Sequence, residues 1–182
     1  LGVPVAVNID NGIGAMALAQ LAGATADEIR QAMLSFGGVD RRFDFHVKRD
    51  DMVYISDYAH HPEEIRQSIL SIKQLYNGKR IKAIFQPHLY SRTNDFYHEF
   101  ADALSLLDDI VLLDIYPARE EPMPGVTSHL IYDNLRSGIS KQMIHKEDII
   151  ECIKVKDFDV LVTLGAGDIE NYATEIAKVL NS

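Results

Sequence analysis

The segment DIVLLDIY, residues 109–116, is a nearly continuous apolar run rich in β-branched side chains. Such a run is typical of a strand that is covered on both faces of a sheet. IKAIF (81–85) and FDVLVTL (158–164) have the same character, and helical patterns separate the three segments. Alternation of buried strands with helices predicts an α/β fold, with a Rossmann-like, doubly wound, mostly parallel sheet and right-handed crossovers.

The neighbouring sequence extends this alternation in both directions. We predict strands at 41–48, 52–57, 80–86, 109–115, 142–144 and 158–164. We predict helices between and after them at 62–76, 93–107, 127–137, 146–154 and 168–180. Because FDFHVKRDDMVYISD (43–57) has the pattern of a hairpin, one edge of the sheet is expected to be antiparallel.

The first part of the chain has a different pattern. Segments 11–23 and 25–36 are predicted to form an antiparallel pair of helices, the second opened by Thr25 and Glu28 in capping-box register. The nearest approach to a linker is GGVD at 37–40. We therefore predict a domain boundary that separates residues 1–38, the tail of an upstream domain, from residues 39–182.

Composition limits the classes of function. The 182 residues are 47% hydrophobic, and no apolar run has the length that a bilayer requires. The start of the chain lacks a signal-peptide pattern, and a single cysteine, Cys152, excludes a disulfide framework, so a cytoplasmic protein without a membrane partner is expected. The formal charge of −9 argues against a nucleic-acid partner.

Polar residues are concentrated directly after the predicted strands. The clusters are DYAHHP (57–62), QPHLYSRT (86–93), YPAREEPMPGVTS (116–128) and GAGD (165–168). Ligands of open α/β sheets bind outside the carboxyl ends of the strands, so the clusters predict a site at that edge. The opposite connections, YNGKR, LLDD and VKDFD, carry ordinary turn residues.

Each cluster has a structural and a functional interpretation. Asp57 can accept backbone N–H bonds at the turn or bind ribose hydroxyl groups. His60 and His61 are adjacent and point in different directions, which suits a metal pair poorly, so no metal site is predicted. Pro62 fits the first position of the following helix.

The later clusters leave similar alternatives. His88 and Arg92 can bind a carboxylate or phosphate, or lie on an ordinary surface loop. Glu120 and Glu121 lie in a long, Pro-rich loop that can be functional or mobile, and they can equally be solvated charges, the interpretation that is slightly favoured. The glycines of LGAGD can admit a ligand to the backbone or serve a tight turn. No G-x-x-x-x-G-K-[ST] motif occurs in the chain.

Taken in order, NIDN, GVDRRFDF, SDYAHHPEE, FQPHLYSRT, DIYPAREEPMPGVTS and LGAGDI resemble the C-terminal part of the Mur ligases, in particular those that add L-alanine to UDP-N-acetylmuramate. The resemblance spans essentially the whole chain. It implies that residues 1–38 are the last helices of a central ATPase domain and that residues 39–182 are the C-terminal ligand-binding domain. In this family the phosphate-binding loop lies upstream.

The resemblance also assigns residues. It implies nucleotide contacts for Asn8, Asn11, Arg42, Asp57, Tyr58 and His60. It implies substrate contacts for His88, Arg92, Gly165 and Gly167: the first two meet the incoming amino acid, and the glycines of LGAGD lie along the acceptor site. It assigns no certain catalytic residue and no metal ligand to this chain. Val7 and Leu89 depart from the family's pattern, which commonly has histidine and arginine there, so carboxylate recognition is expected to depend more heavily on Arg92.

The implied function is a step of peptidoglycan precursor synthesis. ATP, with Mg²⁺, phosphorylates the muramate carboxylate, and the amine of L-alanine attacks the acyl phosphate. The implied partners are these small molecules and the preceding domains in cis, and the isolated chain is expected to be inactive, with no tightly bound cofactor. The alternatives are a ligase that recycles an intact tripeptide, a non-catalytic ligand-binding module, and a purely structural α/β domain.

Overall fold

The computed structural model describes residues 6–182, and the side chains of Ala6 and Val7 lie outside that description. The chain divides into two compact units, Leu1–Asp40 and Arg41–Ser182. In the first unit, α1 (Ala6–Leu21) and α2 (Ala26–Ser35) contact each other. Thr25 Oγ1 accepts the Glu28 N–H at 3.3 Å, and Glu28 Oε2 accepts the Thr25 N–H at 2.8 Å, which confirms the predicted capping box.

Within the second unit the strands form one six-stranded sheet with the order β1-β2-β6-β3-β4-β5. The strands are β1 (Asp44–Lys48), β2 (Val53–Asp57), β3 (Ile81–Phe85), β4 (Asp109–Leu112), β5 (Ser140–Met143) and β6 (Val160–Leu164). β1 is antiparallel to β2, with a register shift between Phe45 and Val47, and every other pairing is parallel. The predicted mostly parallel sheet with an antiparallel edge is confirmed.

Helices cover both faces of this sheet. They are α3 (Pro62–Leu75), α4 (Tyr90–Leu104), α5 (His129–Asn134), α6 (Ile149–Ile153) and α7 (Ala173–Asn181), with 3₁₀ turns at Lys146–Asp148 and Asp168–Tyr172. Helix α4 contacts α3 and α5, whereas α7 contacts α6, β1 and β2. The sheet is therefore doubly wound, as its continuous apolar strands predicted.

The two faces have separate apolar cores. Tyr54 and Leu161 pack with Ile176 of α7, and all three side chains are buried. Because successive strand residues point to opposite faces, Phe85 faces the other core, where its ring lies 5.4 Å from that of Phe100 on α4. This burial on both faces fixes the register of the central strands.

The order of the strands creates a crevice at the carboxyl edge. β6 lies between β2 and β3, and the chain leaves β6 for α7 but leaves β2 and β3 for α3 and α4. The Gln86 N–H donates to Leu164 O at 3.0 Å, and the Gly165 N–H donates to Asp57 O at 3.1 Å, so the three strand ends are joined there. Open α/β sheets bind ligands where neighbouring strands connect to helices on opposite faces of the sheet, as β6 and its two neighbours do here.

Among the described residues, no helix is both long enough and apolar enough to span a bilayer.

Candidate functional site

Residues that follow different strands meet at the carboxyl edge. The His60 ring lies 5.0 Å from the Tyr58 ring and 6.2 Å from the His88 ring. His88 in turn stacks on Tyr116, which follows β4, at 5.6 Å. A Cβ built on Gly167 would lie 2.8 Å from Tyr116 Cβ, so the loop after β6 reaches the same place. The structure thus brings the four predicted clusters together.

Arginines lie at one end of this row of rings. The guanidinium carbon of Arg41 is 4.7 Å from the centre of the Tyr58 ring, and that of Arg42 is 5.9 Å away. Arg41 Nε lies 3.8 Å from Glu170 Oε2, and this nitrogen is buried without a hydrogen-bond partner among the described residues. Arg42, the predicted site residue, is exposed. The sequence reasoning passed over Arg41, although it is adjacent.

Asp57 is half-buried at the end of β2. Burial raises the pKa of its carboxyl group, and the Ser68 hydroxyl and the backbone N–H groups of Ala59 and Phe43 act in the opposite direction. The Ala59 N–H donates to Asp57 Oδ1 at 3.3 Å, as the structural interpretation of this residue requires. Ser68 Oγ is buried, and no atom of the described residues meets hydrogen-bond geometry with it.

The adjacent histidines have different environments. His61 packs its ring against Phe96 at 5.1 Å, whereas His60 Nδ1 lies 3.0 Å from Tyr58 O and faces His88. The carboxylate of Glu64 accepts the backbone N–H groups of His60 at 3.0 Å and His61 at 3.1 Å. One imidazole therefore packs beside α4, and the other contributes to the site.

His88 and Arg92 form a pair at the start of α4. Arg92 Nη1 lies 3.4 Å from His88 Nδ1. Burial lowers the pKa of His88, the charges of Arg92 and His60 lower it further, and Glu120 opposes them. The lowered pKa favours a neutral imidazole, which leaves Arg92 as the principal cation of the pair.

Glu120 is bound to α4. Its carboxylate accepts the Ser91 N–H at 3.0 Å and the Ser91 hydroxyl, and these hydrogen bonds lower the pKa of Glu120. Glu120 is therefore more than the solvated charge that the sequence suggested, because it also binds α4, whereas Glu121 is exposed. The missed signal was the absence of any capping side chain at the preceding helix start, Leu89.

A buried amide organises the loop after β6. Gln86 Oε1 accepts the Ile169 N–H at 3.0 Å, and Gln86 Nε2 donates to Asp168 Oδ1 at 2.7 Å. Asp168 also bonds Lys146, and although burial acts to raise its pKa, the bonds from Lys146 and Gln86 bring it below the usual value. Sequence reasoning placed Gln86 and Asp168 in the polar clusters without giving either an individual role, and it did not consider Lys146.

Two predicted nucleotide residues, Asn8 and Asn11, lie on α1 in the first unit. The site at the strand ends is built from residues of the second unit. Among the described residues, no group of three or more histidine, cysteine, aspartate or glutamate side chains is arranged to hold a metal ion.

Residues 41–167 match the family described as Mur ligase, glutamate ligase domain. The chain belongs to the Mur ligase family. It is 62% identical over 181 residues to the UDP-N-acetylmuramate–L-alanine ligase of Phocaeicola vulgatus, and 51% identical over 180 residues to that of Parabacteroides distasonis. The alignments cover 100% and 99% of this chain. The chain spans about 40% of the length of these curated Mur ligases.

Solved Mur ligases share the fold. The crystal structure of the UDP-N-acetylmuramate–alanine ligase of Thermotoga maritima matches with a TM-score of 0.78 at 28% identity, covering 97% of this chain and 38% of that one. A murein peptide ligase of Psychrobacter arcticus matches with a TM-score of 0.68 at 23% identity, covering 96% and 37%. This second match shows the fold alone.

Proposed function

We propose that this chain is the C-terminal ligand-binding part of an ATP-dependent, cytoplasmic ligase that joins L-alanine to UDP-N-acetylmuramate. The observation that carries the proposal is the continuous group of rings and cations at the strand ends, from Arg41 and Tyr58 to His88 and Arg92. The 62% identity to a ligase named for this reaction supports the choice of substrates.

The Arg41 end of the group suits a nucleotide. Arg41 carries a buried Nε donor without a hydrogen-bond partner among the described residues, and Arg42 places a second guanidinium near the same ring. A guanidinium group can donate two parallel hydrogen bonds to a phosphate, and the Asp57 carboxylate can accept hydrogen bonds from ribose hydroxyl groups. We assign ATP to this end, with Tyr58 and His60 beside it.

The role of the first unit is part of this proposal. We assign residues 1–38 to the end of a central ATPase domain, with Asn8 and Asn11 near the adenine. The chain contains no phosphate-binding G-x-x-x-x-G-K-[ST] motif, so we assign the phosphate cradle and the Mg²⁺ ligands to other domains in cis.

The His88 end suits the amino acid. Arg92 offers a charged fork of donors to the carboxylate of L-alanine, and the largely neutral imidazole of His88 adds a polar contact. Gly165 and Gly167 lie beside Gln86, and Gly167 also lies beside Tyr116. We place the acceptor, the muramate carboxylate, along these glycines.

These residues contribute by positioning. In the complete reaction ATP transfers a phosphoryl group to the muramate carboxylate and leaves as ADP. The amine of the amino acid then attacks the carbonyl carbon of the acyl phosphate, which forms the C–N bond, expels phosphate and releases a proton. Holding the amine donor near the acyl phosphate converts an encounter between separate molecules into a reaction within one complex. The fixed charge of Arg92 orients the carboxylate of L-alanine so that its amine faces the acyl group.

A chimera tests the assignment. The chain replaces the matching region of the Phocaeicola vulgatus ligase, and phosphate release is measured with UDP-N-acetylmuramate plus L-alanine or the stem tripeptide. Arg92→Met should raise the KM for L-alanine roughly tenfold or more, because losing a hydrogen bond to a charged group costs about 1.5–3 kcal/mol. The KM for ATP should change little.

Arg119→Met is the matched control, because Arg119 is exposed on the neighbouring loop and has no assigned contact. Turnover with the tripeptide but not with L-alanine would support the recycling ligase instead. An Arg92→Met chimera with an unchanged KM for L-alanine would remove Arg92 from the amino-acid site.

A further inference from the structure

Helix α4 begins without a cap of its own. Its N-cap residue is Leu89, with φ 74° and ψ 136° and no side chain that can accept a hydrogen bond. The first N–H groups of a helix lack partners within the helix and need an acceptor from elsewhere. Those N–H groups belong to the turn that carries Arg92.

The acceptor comes from the loop after β4. Glu120 Oε2 accepts the Ser91 N–H at 3.0 Å, and Oε1 accepts the Ser91 hydroxyl. The carboxylate therefore performs for α4 the function that an N-cap side chain normally performs, from 29 residues further along the chain. A negative charge at the N-terminus of a helix is also favourable.

The same two segments are joined beside this cap. The Leu89 N–H donates to Tyr116 O at 2.9 Å, and the Tyr116 N–H donates to Pro87 O at 2.8 Å. His88 stacks on Tyr116 at the bridge that these bonds form. The bond from Glu120 to Ser91 therefore adds to two backbone hydrogen bonds that already fix Pro87 and Leu89, the neighbours of His88, to Tyr116.

We propose that Glu120 is a positioning residue, which caps α4 from the neighbouring loop and thereby holds the His88–Arg92 pair for the carboxylate of the incoming amino acid. The ligand in this proposal rests on the function proposed above. The positioning rests on geometry alone: Ser91, which Glu120 binds, directly precedes Arg92 in α4. Arg92 Nη1 lies 3.4 Å from Nδ1 of His88, which is two residues before the helix.

Electrostatics agree with this geometry. Among the described residues, the charged groups that act on His88 are Arg92 of α4, His60 of the turn after β2 and Glu120, and of these Glu120 raises the pKa of His88. Arg92 contributes to the lowered pKa of Glu120, so these two charges stabilise each other. Glu120 therefore offsets part of the positive charge that surrounds the imidazole.

The first experiment uses the 182-residue chain. NMR measures the pKa of His88 and the exchange rate of the Ser91 amide in Glu120→Gln, which removes the charge but keeps the size of the side chain. We expect the pKa of His88 to fall and the exchange of Ser91 to accelerate roughly fivefold or more, because the cap is weakened. Glu121→Gln, at the exposed neighbouring position, should change neither value.

Unchanged exchange of Ser91 and an unchanged pKa of His88 in Glu120→Gln would overturn the positioning role. A resonance pattern that otherwise matches the parent chain establishes that the variant is folded, so a negative result is decisive.

The second experiment uses the chimera and tests the ligand. Glu120→Gln should raise the KM for L-alanine severalfold while the KM for ATP and kcat change less, and Glu121→Gln should behave as the parent. If the NMR effects appear but the KM for L-alanine does not change, the part of the proposal that concerns the carboxylate is wrong. If the parent chimera does not use L-alanine at all, the proposed function is wrong. The capping of α4 by Glu120 then still stands on the NMR result.

Discussion

Gly165 and Gly167 lie so close to Gln86 that neither position has room for a side chain. A Cβ on Gly167 would lie 2.2 Å from Gln86 Oε1 and 2.8 Å from Tyr116 Cβ. A Cβ on Gly165, whose φ is 133°, would lie 2.6 Å from Gln86 O. The sequence left open a turn or a ligand as the reason for these glycines, and the structure adds contact with Gln86 and Tyr116.

Gly167→Ala should destabilise the chain by about 1–3 kcal/mol, because a methyl group there forces a well-packed contact to shift. Urea unfolding measures the loss. In a Gln86→Ala background the loss should be smaller, since one of the colliding groups is gone. An equal loss in both backgrounds would show that Gln86 is not the reason for the glycine.

At the level of single residues, local chemistry predicted part of the site. Pro62, the capping box of Thr25 and the different surroundings of His60 and His61 follow from neighbouring sequence, and the structure has each of them. Arg41 and Glu170, which contact each other, are separated in sequence by most of the second unit. No local pattern specifies such a pairing, because chain folding alone brings the two residues together.

Among the elements, β3 carries a buried charge at its amino end. Lys82 Nζ lies 3.0 Å from Asp109 Oδ2 on β4 and 3.0 Å from Asp157 Oδ1 before β6, and the lysine side chain is 6% exposed. Burial acts to lower the pKa of Lys82, but the hydrogen bonds to Asp157 and Asp109 outweigh it and raise that pKa. Three neighbouring strands are thus joined opposite the ligand edge.

Lys82→Met should lower the free energy of unfolding by about 1–3 kcal/mol at neutral pH. The value is below the 3–5 kcal/mol typical of a broken buried pair, because Asp109 and Asp157 keep access to water. Since the folded pKa of Lys82 is raised, its contribution is complete below the unfolded pKa of about 10.4 and is lost as the pH rises through the folded value.

Chemical unfolding of the parent chain and of Lys82→Met between pH 7 and pH 11 measures the difference between their free energies of unfolding. Arg80→Met is the matched control, because Arg80 is 67% exposed beside Asp159 and exposed pairs contribute about 0–1 kcal/mol. A Lys82→Met loss no greater than that of the control would contradict the prediction.

The elements themselves were largely predictable. Strands covered on both faces have apolar side chains at nearly every position, so β3, β4 and β6 are evident from sequence. Helix boundaries were less accurate: α4 begins at Tyr90 rather than 93, and α5 ends at Asn134 rather than 137. The start of α4 depends on Glu120, 29 residues from Ser91, and the only local sign of this is that Leu89 has no capping side chain.

At the scale of the whole molecule, the order of the strands positions the site. The last strand in the chain, β6, inserts between β2 and β3. This insertion places the loop of Gly165 between the turn of Asp57 and the loop of His88. The clusters are distant in sequence, yet they share one crevice.

The isolated 182-residue chain should hydrolyse no ATP and should bind it weakly at best, because it lacks the G-x-x-x-x-G-K-[ST] motif that cradles phosphates. Phosphate release and calorimetry test this at ATP concentrations that saturate the chimera, which serves as the positive control. Robust turnover by the isolated chain would show that the phosphate-binding machinery is present within it, contrary to the proposal.

The sequence by itself determined the class of fold, the approximate strands and the edge at which polar residues gather, because hydrophobic pattern and turn chemistry are local properties. Only the tertiary structure decided which residues act on one another there: Arg41 rather than Arg42 nearest Tyr58, Gln86 against the glycines, and Glu120 at the start of α4. These contacts join segments far apart in the chain, and parallel pairing of non-consecutive strands is what brings those segments within bonding distance.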